Sequence, residues 1–206
     1  MGLLKLLIND PVTFLLLAIP LLYSVIIHEL AHGWVAYMMG DSTAKSLGRL
    51  TLNPLKHLDP LGTLTLFIVG FGWAKPVPVN INAIHNRRTG FVLVSAAGII
   101  ANTIFAFLAI LTMQVLMPTP GTPAATFLFY LAQINIILAA FNLIPIPPLD
   151  GSKILMGFMP DNMQYFFHRL EPYGFFFIII LLFLGVLNPV IAFFRWMILA
   201  LIGLFL

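Results

Sequence analysis

The 206-residue chain has no cysteine, which excludes disulfides and thiolate metal ligands while leaving the redox compartment open. Charge is nearly as scarce. Asp, Glu, Lys and Arg make up 8% of the residues, against roughly 25% in a soluble domain. Residues 91–149 contain no Asp, Glu, Lys, Arg or His at all, and neither do residues 173–194. The net charge of +3 comes from loop lysines and arginines, so no nucleic-acid surface is expected. What fills the chain instead is 61% hydrophobic residues, and an integral membrane protein in contact with the lipid bilayer is the expectation.

Against that background His28-Glu29-Leu30-Ala31-His32 stands out, because residues 11–39 carry no other charge. An ionisable side chain at mid-bilayer costs on the order of 2.5–3.5 kcal/mol even on a lenient scale, so such residues are rare and usually functional. On a helix, histidines four apart project from one face a turn apart, the spacing at which two imidazoles reach one Zn²⁺. Glu29 then lies beside the metal, placed to take a proton from water that the metal has acidified. The pattern spells a metallohydrolase with a membrane-buried site. A polar trio that glues helices together is the bland alternative, but glue needs no such spacing.

A membrane span needs about 20 apolar residues. The charge-free middle run is broken by Pro118-Thr119-Pro120-Gly121-Thr122-Pro123, which predicts two helices, near 91–117 and 124–147, around a tight turn. The run 174–206 is interrupted by Asn188-Pro189 and Arg195, which fits either one kinked helix or a short hairpin. Residues 62–73 are too few to span, and Thr63 and Thr65 alternate with apolar neighbours, so a strand or re-entrant segment is expected there. Such a segment would offer a sheet edge to an extended substrate, or simply cover the mouth of the site. The expected fold is an all-α polytopic membrane protein forming one domain over 1–206. It has a three-helix catalytic core at about 11–155, one or two C-terminal membrane helices within about 173–206, and a short β or re-entrant element between the first two core helices.

Lys45, Arg49, Lys56, Lys75, Arg87 and Arg88 outnumber Asp41 and Asp59 in residues 40–90, whereas the turn at 118–123 is uncharged. The excess of positive charge puts 40–90 in the cytoplasm. A multi-pass cell-membrane protein follows, with the histidines roughly 10–17 Å from the inner end of the first span at 1.5 Å per residue. The third span returns to that side. At its end stand Pro145-Ile146-Pro147-Pro148-Leu149-Asp150-Gly151, whose prolines must break the helix and leave irregular backbone near the membrane. Catalytic zinc usually takes three protein ligands and keeps one position for water, and Asp150 is the candidate third ligand. Taken alone, Asp150 reads better as an Asp-Gly turn or a helix cap before Ser152 than as a ligand.

His28-Glu29-Leu30-Ala31-His32, Gly98-Ile99-Ile100-Ala101-Asn102 and Asn142-Leu143-Ile144-Pro145-Ile146-Pro147-Pro148-Leu149-Asp150-Gly151 together resemble the motifs of the site-2 family of intramembrane zinc metalloproteases. Gly48-Arg49-Leu50-Thr51-Leu52-Asn53-Pro54 and Gly72-Trp73-Ala74-Lys75-Pro76-Val77-Pro78-Val79-Asn80 look like segments of its compact prokaryotic members, those without a peptide-binding domain. The resemblance implies one zinc ion per chain on His28, His32 and Asp150, with Glu29 activating water to hydrolyse peptide bonds of transmembrane substrates. It maps Asn102 and Asn142 onto polar positions near the metal. An amide there either donates to a developing oxyanion or merely aligns helices. A metal transporter or sensor using the same histidines is the rival reading; it would need polar stepping stones in both halves of the membrane, and the outer half looks apolar.

Overall fold

The computed structural model of the protein describes residues 3–70 and 72–206. Three of the helices, those beginning at Pro11, Pro60 and Pro123, start where a side chain caps them and a proline opens them. The first long helix, α2 (Pro11–Met38), follows a short α1 (Leu3–Asn9) and begins with Pro11 at its first position, the Asp10 carboxylate accepting from the Thr13 N–H at 3.0 Å. It stops before Gly40, whose φ of +105° no β-carbon-bearing residue adopts readily. A four-residue turn of helix, α3 (Thr43–Ser46), and the short α4 (Pro60–Val69) occupy the loop that leads to α5 (Arg87–Leu116). The turn at 117–122 reverses the chain into α6 (Pro123–Asn142), which is again opened by a proline and capped by Thr122. Three more helices complete the chain: α7 (Asp150–Phe158), α8 (Asp161–Phe183) and α9 (Asn188–Gly203).

Four of these helices are long and apolar enough to cross a membrane: α2, α5, α6 and most of α8. The chain is a multi-pass membrane protein. Helices α2, α5 and α6 pack on one another, and α9 lies against α6. Where α5 and α6 meet, the fully buried apolar residues are small or branched, among them Ala106, Ile136, Ala139 and Ala140. In lipid there is no hydrophobic force between helices, so close backbone approach across such residues supplies the packing energy.

Three sequence expectations are corrected here. No strand forms among the described residues, only an isolated bridge between Leu58 and Ala74. For residues 62–73, expected as a strand or a re-entrant segment, the strand is overturned where Pro60–Val69 form α4, because capping outweighs the alternation: Asp59 accepts from the Gly62 N–H at 2.8 Å, Pro60 opens the helix, and Gly70 closes it at φ +83°. Its threonine hydroxyls donate to carbonyls within their own turns, Thr63 to Asp59 and Thr65 to Leu61, so they place no demand for a sheet partner. The C-terminal region is a pair of helices that starts at Asp161 rather than near 173, with Gly185 at φ +72° between α8 and α9. The helix passes through Arg169, Glu171 and Pro172, and Glu171 sits 3.5 Å from His168 one turn away. The third core helix also ends at Asn142, short of the expected 147, ahead of Pro145, Pro147 and Pro148.

Candidate metal centre

His28 and His32 lie on one face of α2, and Asp150 is the first residue of α7, delivered there by the proline-rich break after α6. The three side chains converge. His28 Nε2 is 3.0 Å from Asp150 Oδ2, His32 Nε2 is 3.1 Å from the same oxygen, and the two Nε2 atoms are 3.0 Å apart. All three residues are buried, the carboxylate of Asp150 reaching them from 118 positions further along the chain than His32. The second oxygen of Asp150 faces Lys153 Nζ at 3.5 Å.

The donor chemistry identifies what this cluster accommodates. His28 Nδ1 faces the Asn102 side-chain oxygen at 2.6 Å, and His32 Nδ1 faces the Val94 carbonyl at 2.6 Å. Both partners accept, so each neutral ring carries its proton on Nδ1 and presents a bare lone pair at Nε2. Two such lone pairs and a carboxylate oxygen pointing at one another repel unless a cation lies among them. Their mutual spacing of 3.0–3.1 Å is close to the edge of a tetrahedral shell with bonds of about 2.0–2.1 Å, roughly 3.3–3.4 Å. Among the described residues this is the one group of three His or acidic side chains placed to share a metal ion.

Glu29, on the same turn, is half-buried, and its Oε2 accepts from the Val77 main-chain N–H at 2.8 Å. Val77 lies between Pro76 and Pro78 in the segment that follows α4. Gly33 makes room for this segment: a β-carbon there would come within 2.6 Å of Leu50 and 2.9 Å of Val77. The same need for space recurs on α5. Gly98 lies flat against the His28 ring, where a β-carbon would sit 2.5–2.6 Å from three ring atoms.

The remaining candidates fall differently. Asn102 is fully buried against His28, whereas the Asn142 amide nitrogen donates to the Leu138 carbonyl of its own helix at 3.0 Å. His57 lies in the loop after α2, buried and bonded locally to the Thr51 carbonyl at 2.8 Å. Three residues next to the site were missed. Ser24 and Asn135 are buried beside Asn102, and Val77 touches Glu29. Ser24 lies one turn before His28 on the same helix face, which is a signal available from spacing alone; nothing in the sequence pattern marks the other two.

A pair of helical histidines and a carboxylate, gathered among helices long and apolar enough to cross a membrane, form a candidate metal site in a membrane protein. Comparison with known proteins makes this particular. The model of peptidase family M50 matches residues 118–185. A protein of Bacillus subtilis named "Putative zinc metalloprotease YwhC" is 45% identical over 167 residues, which cover 77% of this chain and 76% of that protein. "Putative zinc metalloprotease Rip2" of Mycolicibacterium smegmatis is 28% identical over 181 residues, 85% of this chain and 69% of its own. "Zinc metalloprotease MJ0392" of Methanocaldococcus jannaschii is 27% identical over 158 residues, 76% of this chain and 38% of its own. No solved structure gives a significant match. The chain belongs to peptidase family M50, the site-2 protease family, and is a zinc metalloprotease.

Proposed function

We propose that this metalloprotease is an intramembrane endopeptidase that cuts single-span membrane proteins within or near the bilayer, in regulated intramembrane proteolysis, and that His28, Glu29, His32 and Asp150 form its active site. The observation that carries the reading is the convergence of three ligand atoms within 3.1 Å on and beside helices long enough to cross a membrane. In this reading His28 Nε2, His32 Nε2 and Asp150 Oδ2 hold one zinc ion and leave a fourth position open. Bound zinc supplies Lewis acidity, lowering the pKa of water towards neutrality and polarising a peptide carbonyl. Glu29 is the general base. Its Oε2 is held by the Val77 N–H, and its Oε1 takes the proton and returns it to the leaving amine.

The contact between Asn102 and His28 favours the aligning role over that of an oxyanion donor, since the oxygen of Asn102 is turned to the ring and its nitrogen away from it. Asn142 keeps its side-chain oxygen available to a substrate N–H. A helical peptide bond is shielded by its own hydrogen bonds, so the substrate must unwind before attack, and Gly or Pro in its span lowers that cost. The positive charges of residues 40–90 support a site that opens towards the cytoplasm.

Two measurements test this. Purified protein in lipid vesicles, given a fluorescent single-span peptide with Gly-Pro in its span, should cut inside the span. Glu29→Gln should keep its zinc and cut nothing, because the glutamine carbonyl still accepts from Val77 but no longer takes a proton. Wild-type cleavage by Glu29→Gln removes the proposed base, and cleavage of soluble peptides in preference to the membrane peptide removes the proposed substrate class. For the side of the site, Arg87→Cys should be labelled only from the cytoplasm and Thr119→Cys only from outside, in a chain with no other cysteine. The reverse pattern would move the site to the outer half.

A further inference from the structure

Behind His28 the three core helices share a small polar network inside apolar surroundings. Ser24 of α2, Asn102 of α5 and Asn135 of α6 are each at most 1% exposed. Asn135 Nδ2 donates to the Leu131 carbonyl at 2.8 Å and to Ser24 Oγ at 2.7 Å. Its oxygen accepts from Asn102 Nδ2 at 2.7 Å, and that nitrogen also donates to the Ser24 carbonyl at 3.3 Å. Asn102 Oδ1 then accepts from His28 Nδ1. Every amide hydrogen of both asparagines has a partner, so the two amides run with one polarity.

That polarity has a fixed origin. A main-chain carbonyl only accepts, so the Leu131 carbonyl dictates which end of the Asn135 amide is nitrogen, and the Asn135 oxygen at 2.7 Å, with the Ser24 carbonyl more distant at 3.3 Å, dictates that of Asn102. Reversing Asn135 would set its oxygen against the Leu131 carbonyl, and reversing Asn102 would set oxygen against Asn135 and nitrogen against His28. A reversed Asn102 donates to Nδ1 and drives the imidazole proton to Nε2, the atom that faces His32 and Asp150. A protonated Nε2 is no metal ligand.

We infer that Asn135 is a positioning residue for the metal centre: it locks the orientation of Asn102 and through it holds His28 in the tautomer whose Nε2 is free to bind zinc. This rests on the assignment of His28 as a ligand in the proposed function. Helix glue would need only hydrogen bonds of either sense; a tautomer lock needs this sense, and the network has it from main-chain carbonyl to imidazole without a break.

The test compares two substitutions of opposite character. Asn135→Leu keeps the branching and the number of heavy atoms and removes the polarity; Asn135→Asp retains an oxygen that accepts from Asn102, at the cost of placing a carboxyl group in an apolar site. Zinc affinity, measured by competition with a chromophoric chelator in detergent, should fall about 10–100-fold in Asn135→Leu, the range for loss of a partner behind a metal-binding histidine. Asn135→Asp should lose less. Packing alone reverses that order, since leucine then suits the site better than a carboxyl group. Ser24→Ala should stay within about threefold, because the Leu131 carbonyl still orients Asn135. In metal-free protein, the ¹⁵N spectrum of the histidine rings should show His28 protonated at Nδ1 in the parent and shifted towards Nε2 in Asn135→Leu. Unchanged zinc affinity in Asn135→Leu, or an aspartate variant no better than the leucine one, would overturn the lock. His28→Ala separates the two levels: retained zinc there overturns the ligand assignment itself, whereas lost zinc there beside full affinity in Asn135→Leu overturns only the lock.

Discussion

Replacing Gly98 by alanine puts one methyl group where the metal centre has no room for it. The added carbon would lie 2.5 Å from Cε1 and 2.6 Å from both nitrogens of His28, while ordinary contact begins at 3.4 Å, so ring and methyl must part by about 0.9 Å. The ring has nowhere to go. Asn102 holds it at Nδ1, and His32 and Asp150 face its other nitrogen. The strain falls either on the α2 and α5 packing, where overfilling a packed core costs about 1–3 kcal/mol, or on the ring's aim. A ligand or reacting group displaced by about 1 Å loses about 100-fold in rate. Gly98→Ala should therefore insert and remain helical by circular dichroism, bind zinc at least about tenfold more weakly in a chelator competition, and cut a single-span peptide about 100-fold more slowly. Gly203→Ala, which meets nothing within 4 Å at the end of α9, is the matched control and should change neither. If Gly98→Ala keeps both zinc affinity and turnover within twofold of the parent, the close packing of α5 on His28 is not what fixes the metal centre.

Asp150→Asn keeps the shape of the side chain but removes the negative charge that offsets the metal, so zinc content after dialysis should drop and cleavage should vanish. Glu171→Gln, beside His168 on α8, should alter neither; normal zinc and turnover in Asp150→Asn would strike that residue from the site. Asp41 carries a pH prediction. Burial pushes its carboxyl up, but hydrogen bonds from the Thr43 hydroxyl and the N–H groups of Asn80 and Thr43 outweigh this and hold it below its ordinary value. A group whose folded pKa is depressed stabilises the fold above its unfolded pKa of about 3.9 and loses that contribution as the pH falls through the folded value. Thermal melts of the parent should therefore drop below about pH 4 more steeply than those of Asp41→Asn. Parallel pH curves would show that these bonds do not favour the charged form.

Much of this was legible because membrane sequence is a quiet background. In an apolar run a lone His-Glu-x-x-His spacing can be read directly, and dense prolines near Asp150 announce a break that delivers a carboxylate to the same depth as the histidines. Parity did the rest, placing the ends of α2 and α6 on one side. What stayed hidden had no such contrast. Asn135 sits in a charge-free run with no partner at a telling spacing, and its role depends on an amide in another helix. Thr63 and Thr65 look like strand alternation until Asp59, Pro60 and Gly70 are read as the two ends of a helix. Asn102 was visible as a residue but not as a donor or acceptor, because only its neighbours fix which way an amide points.

The prolines around Val77 have a consequence for how this chain tolerates its own neighbours. Lys75 and Val77 each precede a proline, which keeps their backbone extended. The Lys75 N–H is taken by the His57 carbonyl and the Val77 N–H by Glu29, while Pro76 and Pro78 have none to give. From Lys75 to Pro78 the segment is thus an edge of acceptors only. Two acceptor edges cannot zip together, so copies of the protein crowded in the plane of a bilayer have no strand pairing to offer one another here.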